Sequence, residues 1–428
     1  MIKLIADITK TLIAIASAFL LLSATVSPTE AISSNCELVR PQQHVIKKQS
    51  PAAPQKPSPQ KLPPPKADKA WTIGVLLPMT GKYSAIGQRF QRGLKLALNS
   101  DTTIDKHPWH LTLVDSAKTP PIEAIKQLND DHATIILGPI QSKLAQSAAE
   151  KAVECRLPII LWAPQPRLTS LGENVFQHFL SAANQAREMA RFLQQRGEKR
   201  VAILHPDNNF GNEFKATLNN SCRNGKTTIV MSNAYNPHNT DFSSAIENLR
   251  DNHSSATDQH TPNYPFEALV IADFYPRLRL LIPQLTFHGL DQCKIYGTRG
   301  GNDCRLENEA GSDLEGAIFL DICLNLPKPP QTALDYHDLY LKTYQEPASI
   351  YDAYAYDSIT ILNQARQLIN NTRAANLSEA LLKLPPLKLV TGLTTVSNNG
   401  EFSKQLCPIA FRDKKRCALN ESEAEADR

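Results

Sequence analysis

Trp71-Thr-Ile-Gly-Val-Leu-Leu-Pro-Met-Thr-Gly-Lys-Tyr-Ser84 decides the architecture. Residues 71–77 are a short apolar run, rich in β-branched side chains and stopped by Pro78, the pattern of a strand buried on both faces. Residues 79–84 read as a turn. Residues 85–99 then place Phe90, Leu94, Ala97 and Leu98 at helical spacing.

The same rhythm runs on from there. Strands are expected at 111–114, 133–137, 158–162, 201–204, 228–231, 268–272 and 295–296. Helices are expected between them at 122–128, 142–153, 185–195, 212–222, 242–249 and 276–287. Apolar strands alternating with amphipathic helices imply parallel sheets covered on both faces. The chain has 428 residues, and about 340 remain without its ends. That length suits two lobes better than one core.

Upstream, Lys3 and Lys10 flank the start of an apolar run from Leu12 to Val26. The run is short for a membrane span and fits a secretory leader. Thr29-Glu30-Ala31 offers small residues for cleavage after Ala31, so 1–31 is expected to be a signal peptide. An uncleaved membrane anchor and lipidation at Cys36 are the alternatives. Residues 32–70 carry Pro51, Pro54, Pro57, Pro59 and Pro63-Pro64-Pro65 among Lys and Gln, and are expected to be a disordered, extended stalk. At the other end, 413–428 is expected to be a charged tail without structure. The formal net charge of +4 mixes both signs, unlike the basic stripe of a nucleic-acid binder.

The eight cysteines contain no CxxC pair, so zinc-site spacing is absent. Export permits disulfides. Cys293/Cys304 and Cys407/Cys417 are the closest pairs, and connectivity stays open. Cys155, Cys222 and Cys323 read as small buried hydrophobes. There is no GxSxG, no HExxH, no phosphate loop at Gly81-Lys82 and no GxGxxG around Gly297, Gly300 and Gly301. The histidines show no ligand spacing. Neither a metal nor a cofactor is expected, and the chain reads as a non-enzymatic binding protein.

Several segments, taken in order, resemble the branched-chain amino-acid-binding (Leu/Ile/Val-binding) family of type 1 periplasmic binding proteins. They are Ile73-Gly-Val-Leu-Leu-Pro-Met-Thr-Gly81 with Arg92-Gly93-Leu-Lys-Leu-Ala97, and Ile135-Ile-Leu-Gly-Pro-Ile-Gln-Ser142. Next come Arg200-Val-Ala-Ile-Leu-His-Pro-Asp-Asn-Asn-Phe-Gly211 and Asp273-Phe-Tyr-Pro276. Ile295-Tyr-Gly-Thr-Arg-Gly-Gly301, Tyr351-Asp-Ala-Tyr-Ala-Tyr-Asp357, Thr391-Gly-Leu-Thr394 and Asn399-Gly-Glu-Phe402 complete the series. The resemblance implies two doubly wound parallel-sheet lobes joined by three crossovers. Residues 71–180 plus 327–389 would form lobe one, and 181–326 plus 390–412 lobe two. A ligand would sit between the lobes, at the carboxyl ends of the strands.

The resemblance also assigns the site. Gly138 and Ser142 match the family's carboxylate-holding turn, and a helix start suits an anion or a plain cap equally. Ala163 and Gln165 stand where the family carries a hydroxyl. Phe210, Phe274 and Tyr275 match its aromatic positions, with lobe packing as the alternative. Asp273 beside them reads as a cleft residue or a helix cap. Arg299 departs from the pattern. The family often has an acid there for the ligand's α-ammonium, and arginine would repel that group. Arg167 reads as a solvated loop residue.

Two functions follow. The first is a periplasmic solute-binding protein that closes on a small amino-acid-like or carboxylate ligand and serves an ABC-type transporter. The second uses the same fold as an activator of penicillin-binding proteins, a cell-envelope regulator acting by protein–protein contact, resembling the activator lipoproteins. Association with a membrane would run through the N-terminus.

Overall fold

The structure, a computed structural model, describes residues 71–100, 109–223, 225–249, 264–290 and 293–419. The expected leader, the stalk and Cys36 lie outside the described residues.

β1 (Thr72–Leu77) is the centre of the first sheet, and Ile73, Val75, Leu76 and Leu77 are wholly sealed from solvent. It pairs in parallel with β2 (His110–Asp115) on one side and β3 (Ile135–Leu137) on the other. β4 (Ile159–Leu161) and β5 (Val175–Gln177) extend the sheet to the order β2-β1-β3-β4-β5. The helices α1 (Ser84–Ser100), α2 (Pro121–Asp130) and α3 (Ser142–Glu154) connect these strands. The inner strands β1, β3 and β4 are buried on both faces and read as apolar runs, whereas the edge strand β2 is mostly half-buried and carries His110, Thr112 and Asp115 among its apolar residues.

After β5 the chain crosses to the second lobe. There α4 (Ala182–Gln195) opens on Ser181, whose hydroxyl accepts the Asn184 N–H at 2.9 Å. β6 (Arg200–Pro206), β7 (Thr228–Tyr235), β8 (Ala268–Ile271), β9 (Lys294–Gly297) and β10 (Ile318–Asp321) build the second parallel sheet. α5 (Asn209–Cys222), α6 (Ser243–Glu247), α7 (Tyr275–Phe287) and α8 (Arg305–Glu309) lie between these strands.

The chain then returns to lobe one as α9 (Gln331–Tyr344), α10 (Ile350–Asn370) and α11 (Leu377–Leu382). A capping box between Ser349 and Asp352 starts α10. The helix packs tightly along α1, and an added Cβ at Gly93 would lie 2.0 Å from the Asp352 carbonyl oxygen.

Three findings correct the expectations. The stretch 390–412 does not join lobe two as a whole. β11 (Leu387–Leu389), β12 (Gly392–Val396) and β13 (Phe402–Lys404) form a separate antiparallel sheet, and Glu401 bridges to Gln177 beside β5. Only β14 (Cys407–Arg412) pairs with β10. The tail after Arg412 is not wholly without structure, because β15 (Lys415–Ala418) pairs antiparallel with β14 and closes the order β15-β14-β10-β9-β8-β6-β7. Cross-strand bonds hold that segment despite its charge, which a composition argument cannot see. Lastly, Cys323 is not a free buried thiol. It forms a disulfide with Cys407, with Cα atoms 5.3 Å apart. Cys407 is thereby taken, and Cys155, Cys222, Cys293 and Cys304 are in no disulfide, so neither short-range pairing forms.

Candidate functional site

The carboxyl ends of both parallel sheets carry the residues singled out in the sequence. In lobe one, β3 runs into Gly138, whose φ of +97° favours glycine, and then into Ile140, Gln141 and Ser142. Gln141, not Ser142, is the N-cap of α3, and it makes no side-chain cap bond. Ser142 is the first helical residue and is exposed. Its hydroxyl and the first-turn amides therefore point from an uncapped helix start.

The loop after β4 is held from behind. Gln177 Nε2 donates to the Ala163 carbonyl at 2.5 Å and to the Gln165 carbonyl at 2.9 Å. Ala163 is fully buried and Gln165 half-buried. The two carbonyls are thus committed to Gln177, and the Gln165 side chain is what this loop can offer. Arg167 follows in the left-handed region at φ 62° and is exposed. The neighbouring turn after β1 is pinned by Asp115, which accepts from Met79 N at 2.8 Å and Thr80 Oγ1 at 2.6 Å.

In lobe two the aromatics separate. Phe210 and Phe274 meet with ring centroids 4.9 Å apart, a contact that spans α5 and the start of α7. Tyr275 turns away, donating to Glu309 Oε1 at 2.7 Å beneath the Arg305 guanidinium. Asp273 is fully buried. It accepts from Phe274 N at 2.7 Å and from Tyr235 Oη, and it pairs with Arg277. It leaves no surface for a ligand.

Arg299 precedes Gly300 on the loop after β9, and that loop reaches the aromatic pair through its backbone. Phe274 and Gly300 form a backbone bridge, and a Cβ at Gly300 would lie 2.1 Å from the Asp273 carbonyl, so only glycine permits that approach. Arg299 N donates to Gln185 Oε1 at 3.2 Å, and its Nε lies 4.0 Å from Asp321 Oδ1. The Arg299 side chain is 28 % exposed while that of Asp321 is 6 % exposed. Burial pushes the Asp321 carboxyl up, and Arg299 and Asn302 offset part of that. Among the described residues Arg299 has one counter-charge within 4.0 Å, Asp321, and its side chain stays partly open to solvent.

The sequence reading missed Gln177, Gln185 and Asp321. Each supports a site residue from another strand or helix, and no local motif marks such a partner.

Residues 70–409 match the pattern of the periplasmic binding protein family. The chain belongs to that family. The Leu/Ile/Val-binding protein homolog 3 of Brucella melitensis biotype 1 is 25 % identical over 345 residues, 78 % of this chain and 88 % of that protein. A Rhodospirillum rubrum protein assigned as a branched-chain amino acid ABC transporter superposes with a TM-score of 0.71 at 18 % identity, covering 82 % of this chain and all of that one. A solute binding protein of an R. palustris ABC transporter, solved in complex with benzoate, superposes with a TM-score of 0.56 at 17 % identity, covering 82 % and 96 % of the two chains. This periplasmic binding protein therefore has the type 1 fold, two α/β lobes with predominantly parallel sheets.

Proposed function

We propose that this member is a non-enzymatic, exported solute-binding protein that closes on a small carboxylate lacking an α-ammonium group and delivers it to an ABC-type transporter. The observation that carries the ligand class is Arg299. A partly exposed guanidinium, 4.0 Å from the Asp321 carboxylate, belongs to the residue before Gly300, whose backbone bridges to Phe274 of the Phe210–Phe274 pair. A cation next to an apolar aromatic wall suits an anion with an aromatic or aliphatic body. It disfavours a free α-amino acid, whose ammonium would face like charge. Benzoate, the ligand of the R. palustris neighbour, has this chemistry. Ser142 at the uncapped start of α3 would give the carboxylate its second contact, from the opposite lobe.

The test is a thermal-shift screen with aromatic and aliphatic carboxylates, free amino acids, short peptides and peptidoglycan fragments. A ligand present at about a hundred times its dissociation constant adds about 2.7 kcal/mol, a readily measured shift. Hits confined to carboxylates without an ammonium support the reading. Hits confined to free amino acids refute the ligand class. No hit across the panel moves the assignment to a protein-binding regulator of the cell envelope.

A further inference from the structure

Three short segments carry the chain between the lobes. The first runs from Gln177 to Ala182, the second from Asp321 toward Gln331, and the third from Lys404 to Cys407. The first and third are fastened by hydrogen bonds. Asn184 Nδ2 donates to the Lys404 carbonyl at 3.1 Å while its Oδ1 accepts from Lys404 N at 2.8 Å. Ser181 Oγ donates to Glu401 Oε1 at 2.7 Å, and Leu406 N donates to Glu188 Oε2 at 3.0 Å.

The second and third segments are fastened covalently. Asp321 and Cys407 are directly opposed at the end of the β10–β14 pair, and the Cys323–Cys407 bond lies immediately beyond. The bond also abuts lobe one. A Cβ at Gly392 would lie 3.7 Å from Cys323 Sγ, and the adjoining Val390 and Thr391 amides are bound by Asp357 of α10 at 2.9 and 3.0 Å. One crosslink therefore joins two crossovers at the point where they leave lobe two, against a turn anchored in lobe one.

We propose that Cys323–Cys407 is a redox-operated clamp on the hinge. Oxidised, it makes the second and third crossovers move as one ribbon and restricts how far the lobes part. Reduced, it frees Gln405 and Leu406 to bend independently, and the range of opening widens. This rests on the two-lobed fold and is independent of the ligand class. Cys323 is buried and Cys407 half-buried, so a dithiol reductant would attack Cys407 Sγ. That attack forms a mixed disulfide and expels the Cys323 thiolate, which takes up a proton. The second thiol of the reductant then resolves the mixed disulfide and frees the Cys407 thiol. Two electrons and two protons pass to the protein, and the reductant leaves as its own disulfide.

The test places non-cysteine spin labels at Glu123 in lobe one and Lys226 in lobe two of the full chain, both exposed positions. The interlobe distance distribution is compared with and without a small dithiol. We expect the distribution to widen at least twofold on reduction. The C323S/C407S variant should show the wide distribution without reductant and should not respond to it. Hydrogen exchange on unlabelled protein gives a second readout that needs no variant. The Gln405 and Leu406 amides, bonded at 2.9 Å to Leu393 O and 3.0 Å to Glu188, should exchange faster once the bond is reduced. Unchanged distances and unchanged exchange, with both thiols shown free by mass spectrometry, would overturn the proposal. So would a chain that, purified from an oxidising compartment without reductant, carries both thiols unpaired.

Discussion

Lys404 Nζ lies 3.1 Å from His178 Nε2, and both side chains are buried. The bond fixes a tautomer. Ser358 Oγ donates to the Tyr354 carbonyl at 2.8 Å, so its lone pairs are left for Trp162 Nε1–H and His178 Nδ1, each at 3.0 Å. His178 therefore carries its proton on Nδ1 and accepts from Lys404 on Nε2. Burial, with Lys404 beside it, holds the His178 pKa well below the usual range, so the ring is neutral. Thr394 Oγ1 takes a second Lys404 proton at 2.9 Å. This polar cluster pins the strand ends that enter the first and third crossovers.

The buried ammonium makes stability rise with pH. Burial lowers the Lys404 pKa from 10.5 to about 8, with Asp357 offsetting part of the fall. Between those values the unfolded chain holds a proton that the folded chain has released. Folding stability therefore increases as pH rises through that window. Urea unfolding of wild type at about pH 8 and about pH 10 should show the gain, and Lys404→Met should lose it.

Removing the shared acceptor should be costly. Ser358→Ala would orphan the Trp162 and His178 donors inside the core. We expect a loss of about 3 kcal/mol, read from urea midpoints at constant m-value.

Glu213 should act with the opposite slope. Burial first and Glu401 second push its pKa from 4.5 to about 7, against the pull of Arg187 and Arg167. The folded carboxyl keeps its proton to a higher pH than the unfolded one, so its contribution to stability falls as pH rises from about 4.5 to about 7. Glu213→Gln should flatten the stability profile over that range, and a profile identical to wild type would contradict the assignment.

The α1–α10 contact leaves no room for a methyl group. Gly93→Ala would set a Cβ 2.0 Å from backbone oxygen, which cannot rotate away. A loss of about 3 kcal/mol is expected in chemical denaturation.

Arg299 and Ser142 are the residues to change for ligand binding. Arg299→Gln should weaken a carboxylate identified by the screen about tenfold or more, the scale of one charge-assisted hydrogen bond. Titration calorimetry on Arg299→Gln and Ser142→Ala that shows unchanged affinity for both would remove the proposed site.

The fold was legible where its signals are local. Trp71–Leu77 followed by Pro78, and Ile135–Leu137 followed by Gly138-Pro139, announce strand and turn within a dozen residues. Helical spacing at Phe90 and Leu94 announces the layer that covers them, because periodicity is a property of neighbouring residues. Arg299 was legible too, as a charge opposite to the family's usual one at a motif position.

Tertiary structure decided what depends on partners far along the chain. Cys323 and Cys407 are 84 residues apart, and shorter spacings looked equally good in the sequence. His178 and Lys404 are separated by 226 residues, and neither stands in a motif. β15 reads as a charged tail until β14 lies beside it. The sequence by itself determined the alternation of buried strands and amphipathic helices, hence the two-lobed architecture. The chain's three passages between the lobes decided the hinge clamp, the buried cluster and the neighbours of Arg299. A residue type states which bonds it can make, and only the path of the chain brings the other half of each bond within reach.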